Sequence, residues 1–188
     1  PSYVKFALAR YMQNGILDST FGTNGQLTTD FGGRDPDGAY ALAIQQDGKI
    51  VCTGISGKQD TATMALCRFN ADGSVDGSFG NSGSILVPQV DPEQEMEGLS
   101  IDFQTDGKIL VCGDGGDWPT PLILVRLTTD GQLDPSFGEN GITIVSADSI
   151  STAGYQVHVL TDGKIMVVGM ISYYDNILLA RFNNDNVL

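Results

Sequence analysis

Short apolar runs punctuated by Gly-, Asp- and Asn-rich turns make up nearly the whole chain. No stretch carries the 3.6-residue period of an amphipathic helix. Residues 39–45 (AYALAIQ) lead through Gln46-Asp47-Gly48 into residues 49–55 (KIVCTGI), which predicts a hairpin closed by an Asp-Gly turn. Residues 64–69 and 84–89 follow as two more strands. The same succession continues at 98–104, 108–113, 122–127 and 141–146, and again at 155–160, 164–170 and 177–182. Ahead of all these lie two runs, 4–11 and 26–31. The pattern predicts thirteen strands and no helix.

The runs are copies of one another. LCRFNADGSVDGSFG (66–80) matches LARYMQNGILDSTFG (8–22) and LVRLTTDGQLDPSFG (124–138), and LARFNNDN opens a further copy at Leu179. Arg10, Arg68, Arg126 and Arg181 therefore recur about every 55–58 residues, as do Asp18, Asp76 and Asp134. A second signature, Asp-Gly-Lys, occupies 47–49, 106–108 and 162–164. Four antiparallel strands in each period describe the blade of a β-propeller, with a β-solenoid as the less fitting alternative. The expected units are the second half of a blade at 1–38, full blades at 39–97 and 98–153, and three strands of another at 154–188. Propellers usually have about 4–8 blades. So few blades point to a piece of a larger propeller, or to a homo-oligomer in which two chains close a ring of about six.

The motif LxRxxxDGxLDxSFGxxG, followed by an aromatic, small-apolar strand and QxDGKIxVxG, resembles the delta-60 repeat family of β-propellers. Met12-Gln13-Asn14 and Asn184-Asp185-Asn186 depart from it in the turn, and Leu127 replaces an aromatic after Arg126. The resemblance implies a bacterial-type multi-repeat protein, secreted or surface-associated, with no settled activity and no catalytic residues to carry over.

Residues present in every copy are expected to serve the blade. The arginines Arg10, Arg68, Arg126 and Arg181 should reach an acid or a carbonyl within it, with Asp18, Asp76 and Asp134 as candidates. Phe21, Phe79 and Phe137 should plug the space under the turn. Asn70-Ala71-Asp72-Gly73 with Asp76 partly resembles a calcium loop. The other copies do not keep its carboxylates, so a hydrogen-bonded Asx turn is the better account. In strands that run up and down, all the repeated turns fall on one face of the blades. The dissimilar loops, 30–38, 56–63, 90–97, 114–121, 147–154 and 171–176, fall on the other.

That second face is acidic. It carries Asp30, Asp35, Asp37, Asp60, Asp91, Glu93, Glu95, Glu97, Asp114, Asp117, Asp148 and Asp175 against Arg34 and Lys58. It also holds the single tryptophan, Trp118, with Tyr173 and Tyr174 in the corresponding loop of the next blade. Stacking on a sugar or anchoring a protein contact are both open to such aromatics, as is lying over the blade as a lid. The candidate binding face comprises Trp118, Asp114, Asp117, Tyr173, Tyr174, Glu93, Glu95, Arg34 and Asp35.

A formal net charge of −13 argues against nucleic acid and anionic membranes as partners. No apolar run approaches the ~20 residues of a membrane-spanning helix. The chain begins at Pro1, so a leader could have been removed or the chain could be a fragment. Cys52, Cys67 and Cys112 have no metal-ligand spacing and read as buried thiols, with a Cys52–Cys67 bridge across one hairpin as the alternative. His158 is the only histidine, mid-strand where the other copies have Asp102 and Ala43, which suits an outward or inter-blade position better than a catalytic base. The expected function is a non-enzymatic interaction module for a protein or cell-surface partner, basic or glycan in character, without a cofactor. The alternatives are a lectin-like domain binding glycan or calcium, and a carboxylate-based hydrolase.

Overall fold

The structure, a computed structural model, describes residues 5–29, 31, 37–58, 61–91, 94–116, 119–146, 150–171 and 176–183. Thirteen strands and no helix occur among them. They form four antiparallel sheets in chain order. The first is β1 (Phe6–Ala9) with β2 (Gln26–Thr29). The second is β3 (Asp37–Ile44), β4 (Ile50–Ser56), β5 (Thr63–Phe69) and β6 (Ser84–Leu86). The third is β7 (Glu97–Phe103), β8 (Ile109–Asp114), β9 (Leu122–Leu127) and β10 (Ile142–Val145). The last is β11 (Thr152–Val159), β12 (Ile165–Ile171) and β13 (Asn176–Phe182). The fold is all-β and of β-propeller type.

Buried apolar side chains lie between the sheets. Val51, Met64 and Leu66 of the second sheet meet Ile109, Val111, Ile123 and Val125 of the third. Leu110, Cys112, Leu122 and Leu124 on its opposite face meet Val157, Ile165 and Val167 of the fourth. Phe6 and Phe21 close over Ile50, Cys52, Ala65 and Cys67, with Leu8 and Leu27 packed against that cluster. Strands β4, β5, β8 and β9 read as continuous apolar runs because both of their faces are covered.

Strands β3, β7 and β11 each start one to three residues earlier than the period-two pattern predicts, at Asp37, Glu97 and Thr152. The cause is a bulge at the same place in each: the register shifts between Ala39 and Ala41, Gly98 and Ser100, and Gly154 and Gln156. An extra residue breaks the alternation, so the pairs before it do not read as strand. The bulge also explains a recurrent glycine. A Cβ on Gly54, Gly113 or Gly169 would lie 1.8, 1.7 or 1.8 Å from the carbonyl oxygen of Gly38, Glu97 or Ala153 on the bulged strand.

At the other end, each Asp-Gly-Lys hairpin is an Asx turn. The carboxylates of Asp47, Asp106 and Asp162 accept the N–H of Lys49, Lys108 and Lys164 at 3.1, 3.2 and 3.1 Å. Gly48, Gly107 and Gly163 there adopt φ of 85°, 84° and 82°, the region closed to most side chains. Antiparallel order places these turns together with the β5–β6 and β9–β10 connections, and the dissimilar loops at the opposite end.

Candidate functional site

The turn end is a chain of fixed charges. Arg68 Nε donates to Asp76 Oδ2 at 2.8 Å, and Lys49 Nζ reaches the same oxygen at 3.0 Å. The Arg68 guanidinium lies 4.6 Å over the buried Phe79 ring. Its Nη1 donates at 2.6 Å to the carbonyl of Thr129 in the next blade's turn, and the Gly80 N–H donates to the carbonyl of Asp130 at 2.7 Å. Arg126, Lys108, Asp134 and Phe137 repeat the arrangement, with Arg126–Asp134 at 2.9 Å, Lys108–Asp134 at 3.1 Å and the guanidinium 4.5 Å over the ring. Arg10, Asp18 and Phe21 form a more exposed version, with Arg10–Asp18 at 2.9 Å and Arg10 also donating to the carbonyl of Ala71. Arg181 lies opposite Met166 in β13. The arginines thus tie the third strands β5 and β9, and the Arg10 end of β1, to their own turns, and Arg10 and Arg68 also reach the neighbouring blade.

These partners set the protonation of the turn carboxylates. The Ser78 hydroxyl, then Lys49 and Arg68, hold Asp76 far below the usual carboxylate range. Burial pushes Asp134 up, but Ser136, Lys108 and Arg126 together outweigh it and hold that carboxyl far below the range as well. Asp72 accepts the Ser74 N–H at 2.8 Å and the Ser74 hydroxyl at 2.7 Å, so Asn70–Gly73 is an Asx turn rather than a cation loop. Among the described residues no group of three His, Cys, Asp or Glu is placed to hold a metal ion.

The loop end differs in kind. Of the candidate face, Asp114 and Glu95 are placed, whereas Trp118, Asp117, Tyr173, Tyr174, Glu93, Arg34 and Asp35 lie outside the described residues. Three of the acids expected on solvated loops belong to strands. Asp37 opens β3 and is fully buried, Glu97 opens β7, and Asp114 closes β8 directly opposite Glu97. The bulges lengthen the strands into what the pattern reads as loop. Glu95 packs against Gly116, whose absent Cβ would meet the Glu95 Cβ at 2.8 Å. Tyr40, the residue of the β3 bulge, has its hydroxyl near enough to Glu97 to favour that carboxylate's charged form. Sequence reasoning did not bring Tyr40 or Glu97 into the candidate face. The signal available for Tyr40 was an aromatic immediately after the Gly-Ala that opens a first strand.

Three carboxylates and a phenol therefore share one half-buried corner. Burial, reinforced by Glu95 and only partly opposed by the Gly116 N–H, pushes Asp114 up to about 6. Burial followed by Asp114 and Glu95 raises Glu97, and burial followed by Glu97 raises Tyr40. A carboxyl raised in the fold favours folding while protonated, and that advantage is lost as pH climbs through its folded value. Stability to urea is therefore expected to increase as pH falls from 7.5 to 5.5. Asp114→Asn should flatten that slope, leaving only the part due to Glu97, and should stabilise the protein at pH 7.5 by about 1–3 kcal/mol. Urea midpoints across this window measure both effects.

Asp102 and His158 sit on neighbouring first strands, as an inter-blade pair. His158 Nδ1 is 3.5 Å from Asp102 Oδ2, which also accepts the Val159 N–H at 2.7 Å, while Ser100 accepts that of Val157 at 3.2 Å. The two side chains of β7 stitch it to β11.

Two segments, 45–79 and 104–137, match the family model described as a domain of unknown function (DUF5122) beta-propeller. Each runs from the glutamine before an Asp-Gly-Lys turn, through two inner strands, to the phenylalanine under the arginine. The matched residues thus take in the repeated turns, the two inner strands and the connection between those strands. No curated protein matches the chain. The chain is accordingly built of β-propeller repeats.

Proposed function

We propose that this chain is a delta-60-type propeller scaffold that works without catalysis or a cofactor, outside the cell or on its surface, and presents the loop end to a basic protein partner. The observation that carries this reading is the opposite direction in which the two ends push their carboxyls, down for Asp76 and Asp134 and up for Asp114 and Glu97. At the turn end the buried carboxylates Asp76 and Asp134 each hold a lysine and an arginine. At the loop end burial, reinforced by Glu95, raises Asp114, and burial followed by Asp114 and Glu95 raises Glu97, so the corner is less stable than a neutral one would be. Proteins tolerate such strain where it serves a ligand, and a lysine or arginine brought among these oxygens would relieve it. Trp118, four residues after Asp114 in the sequence, and Tyr173 and Tyr174 in the corresponding segment of the next repeat are the aromatic anchors proposed for the same partner.

A thermal-shift screen tests the reading. Oligo-arginine should raise the melting temperature at low salt, and less so at high salt. The joint variant Trp118→Ala with Tyr173→Ala should weaken the gain. A response to calcium chloride or to a glycan array instead would replace this reading with a lectin-like one, and turnover of a glycoside would replace it with a hydrolase.

A further inference from the structure

The second sheet contains one pair of residues for which the repeat has no counterpart. Cys52 in β4 lies directly opposite Cys67 in β5. The equivalent pairs in the next two sheets are Val111 with Val125, and Val167 with Ala180. Both thiols are free, 1% and 2% exposed, and lie in the cluster beneath β1 and β2. Cys112, the remaining cysteine, faces the other side of its sheet, where its thiol donates to the carbonyl of Gly154 at 3.3 Å.

Backbone alternation fixes the kind of pair. The Arg68 N–H donates to Gly83 and the carbonyl of Met64 accepts from Val87, so the even-numbered residues of β5 turn their backbone groups toward β6. Cys67 therefore turns its own toward β4, and Cys52–Cys67 is a hydrogen-bonded antiparallel pair with Cα atoms about 5.5 Å apart. That spacing lies inside the range of about 4.4–6.8 Å that a disulfide spans. The Cβ atoms of such a pair, at the wide end of about 4.5–5.5 Å, must close toward about 3.8 Å, so the bond forms under some strain and is readily reduced again.

We infer that Cys52 and Cys67 are a reversible redox pair, closed by thiol–disulfide exchange when β1 and β2 lift from the second sheet. The register supplies the partner, and the cover supplies the gate. β1 and β2 are strands of only four residues each lying over both thiols, and so short an element opens below the global unfolding energy. While the cover is shut, the Cys52 hydrogen bond and burial hold the Cys67 thiol well above its ordinary value and leave it unreactive. Once open, one thiolate attacks glutathione disulfide, forming a mixed disulfide and releasing glutathione. The second thiolate then displaces the other glutathione. Two protein thiols and one glutathione disulfide become one protein disulfide and two glutathione thiols, which carry away the two protons.

Folded protein is incubated with glutathione disulfide, quenched, denatured and labelled with N-ethylmaleimide, and its intact mass is measured. Reduced chains take three labels, because the chain has three cysteines. The expected oxidised chain takes one label, at Cys112, carries no glutathione, is about 2 Da lighter apart from the missing labels, and regains all three labels after dithiothreitol. Cys67→Ser should instead keep two labels or hold a single glutathione. Leu27→Ala, which loosens the cover, should close at least tenfold faster. Retention of all three labels while the fold signal stays native would overturn the pair, as would loss of the Cys112 label at the same rate. An unchanged rate in Leu27→Ala would overturn the gate.

Discussion

Gly113→Ala is expected to be among the most damaging single-atom additions the chain can receive. A Cβ there would lie 1.7 Å from the carbonyl oxygen of Glu97 and 2.8 Å from its carbonyl carbon. Both belong to backbone held by the β7–β8 register, so no side chain can swing away. Relief requires the β7 bulge to flatten. That would shift Ser100 and Asp102, which accept the backbone N–H groups of β11. The substitution thus strikes one sheet and its junction with the next, and a loss of about 4 kcal/mol or more is expected, at the far tail of single substitutions. Gly77→Ala provides the control, since a Cβ there meets nothing within 4 Å. Its urea midpoint should remain near that of the parent. The same comparison applied to Gly54 or Gly169 should give losses of the same order, because each faces its own bulge at 1.8 Å.

Arg126→Met is expected to cost about 3–5 kcal/mol, the usual penalty for removing one member of a buried ion pair. The Arg126 and Asp134 side chains are 4% and 7% exposed. Methionine can still cover Phe137, but Asp134 would keep only Lys108 and the Ser136 groups as partners. Its carboxyl, held far down by those groups together with Arg126, should titrate closer to the ordinary range. A carboxyl depressed in the fold contributes stability that is present above its unfolded value, near 4, and is lost as pH falls toward the folded one. Acid unfolding of Arg126→Met should therefore begin at a higher pH than in the parent. Pairing it with Asp134→Asn should recover part of the loss, since no uncompensated charge would then remain. Arg10→Met should cost about 1 kcal/mol or less, because the Arg10 side chain is 36% exposed and its ion pair is screened.

Much of this framework was legible because three copies of a motif serve as their own comparison. Arg68, Asp76 and Phe79 recur together because they touch one another, and spacing alone was enough to group them. Lys49 was not grouped with them: it lies a strand away in sequence, and only the hairpin brings its ammonium to Asp76. The thirteen strands followed from turn residues and apolar runs, but the starts of β3, β7 and β11 did not. A bulge inserts a residue that breaks the period on which such a reading depends. The same displacement hid the loop-end corner. Glu97 and Asp114 read as loop acids, although a register of paired strands sets them face to face beside Tyr40. Facing across strands is a property of register, which one strand's sequence does not state. Cys52 and Cys67 are the converse case, since a hairpin bridge is visible as an option in sequence, but the hydrogen-bonded class of the pair is not.

The claim that the loop end is the working surface is most directly tested by charge removal matched between the two ends. Glu95→Gln, Glu97→Gln and Asp114→Asn together neutralise three carboxylates at the loop end. Asp47→Asn, Asp106→Asn and Asp162→Asn neutralise three at the turn end, and asparagine can keep each Asx turn. Affinity for oligo-arginine, measured by titration calorimetry at one ionic strength, is expected to fall at least tenfold in the first triple variant and by less than threefold in the second. Equal losses in both would mean that only net charge attracts the peptide, and would contradict the assignment of a working face.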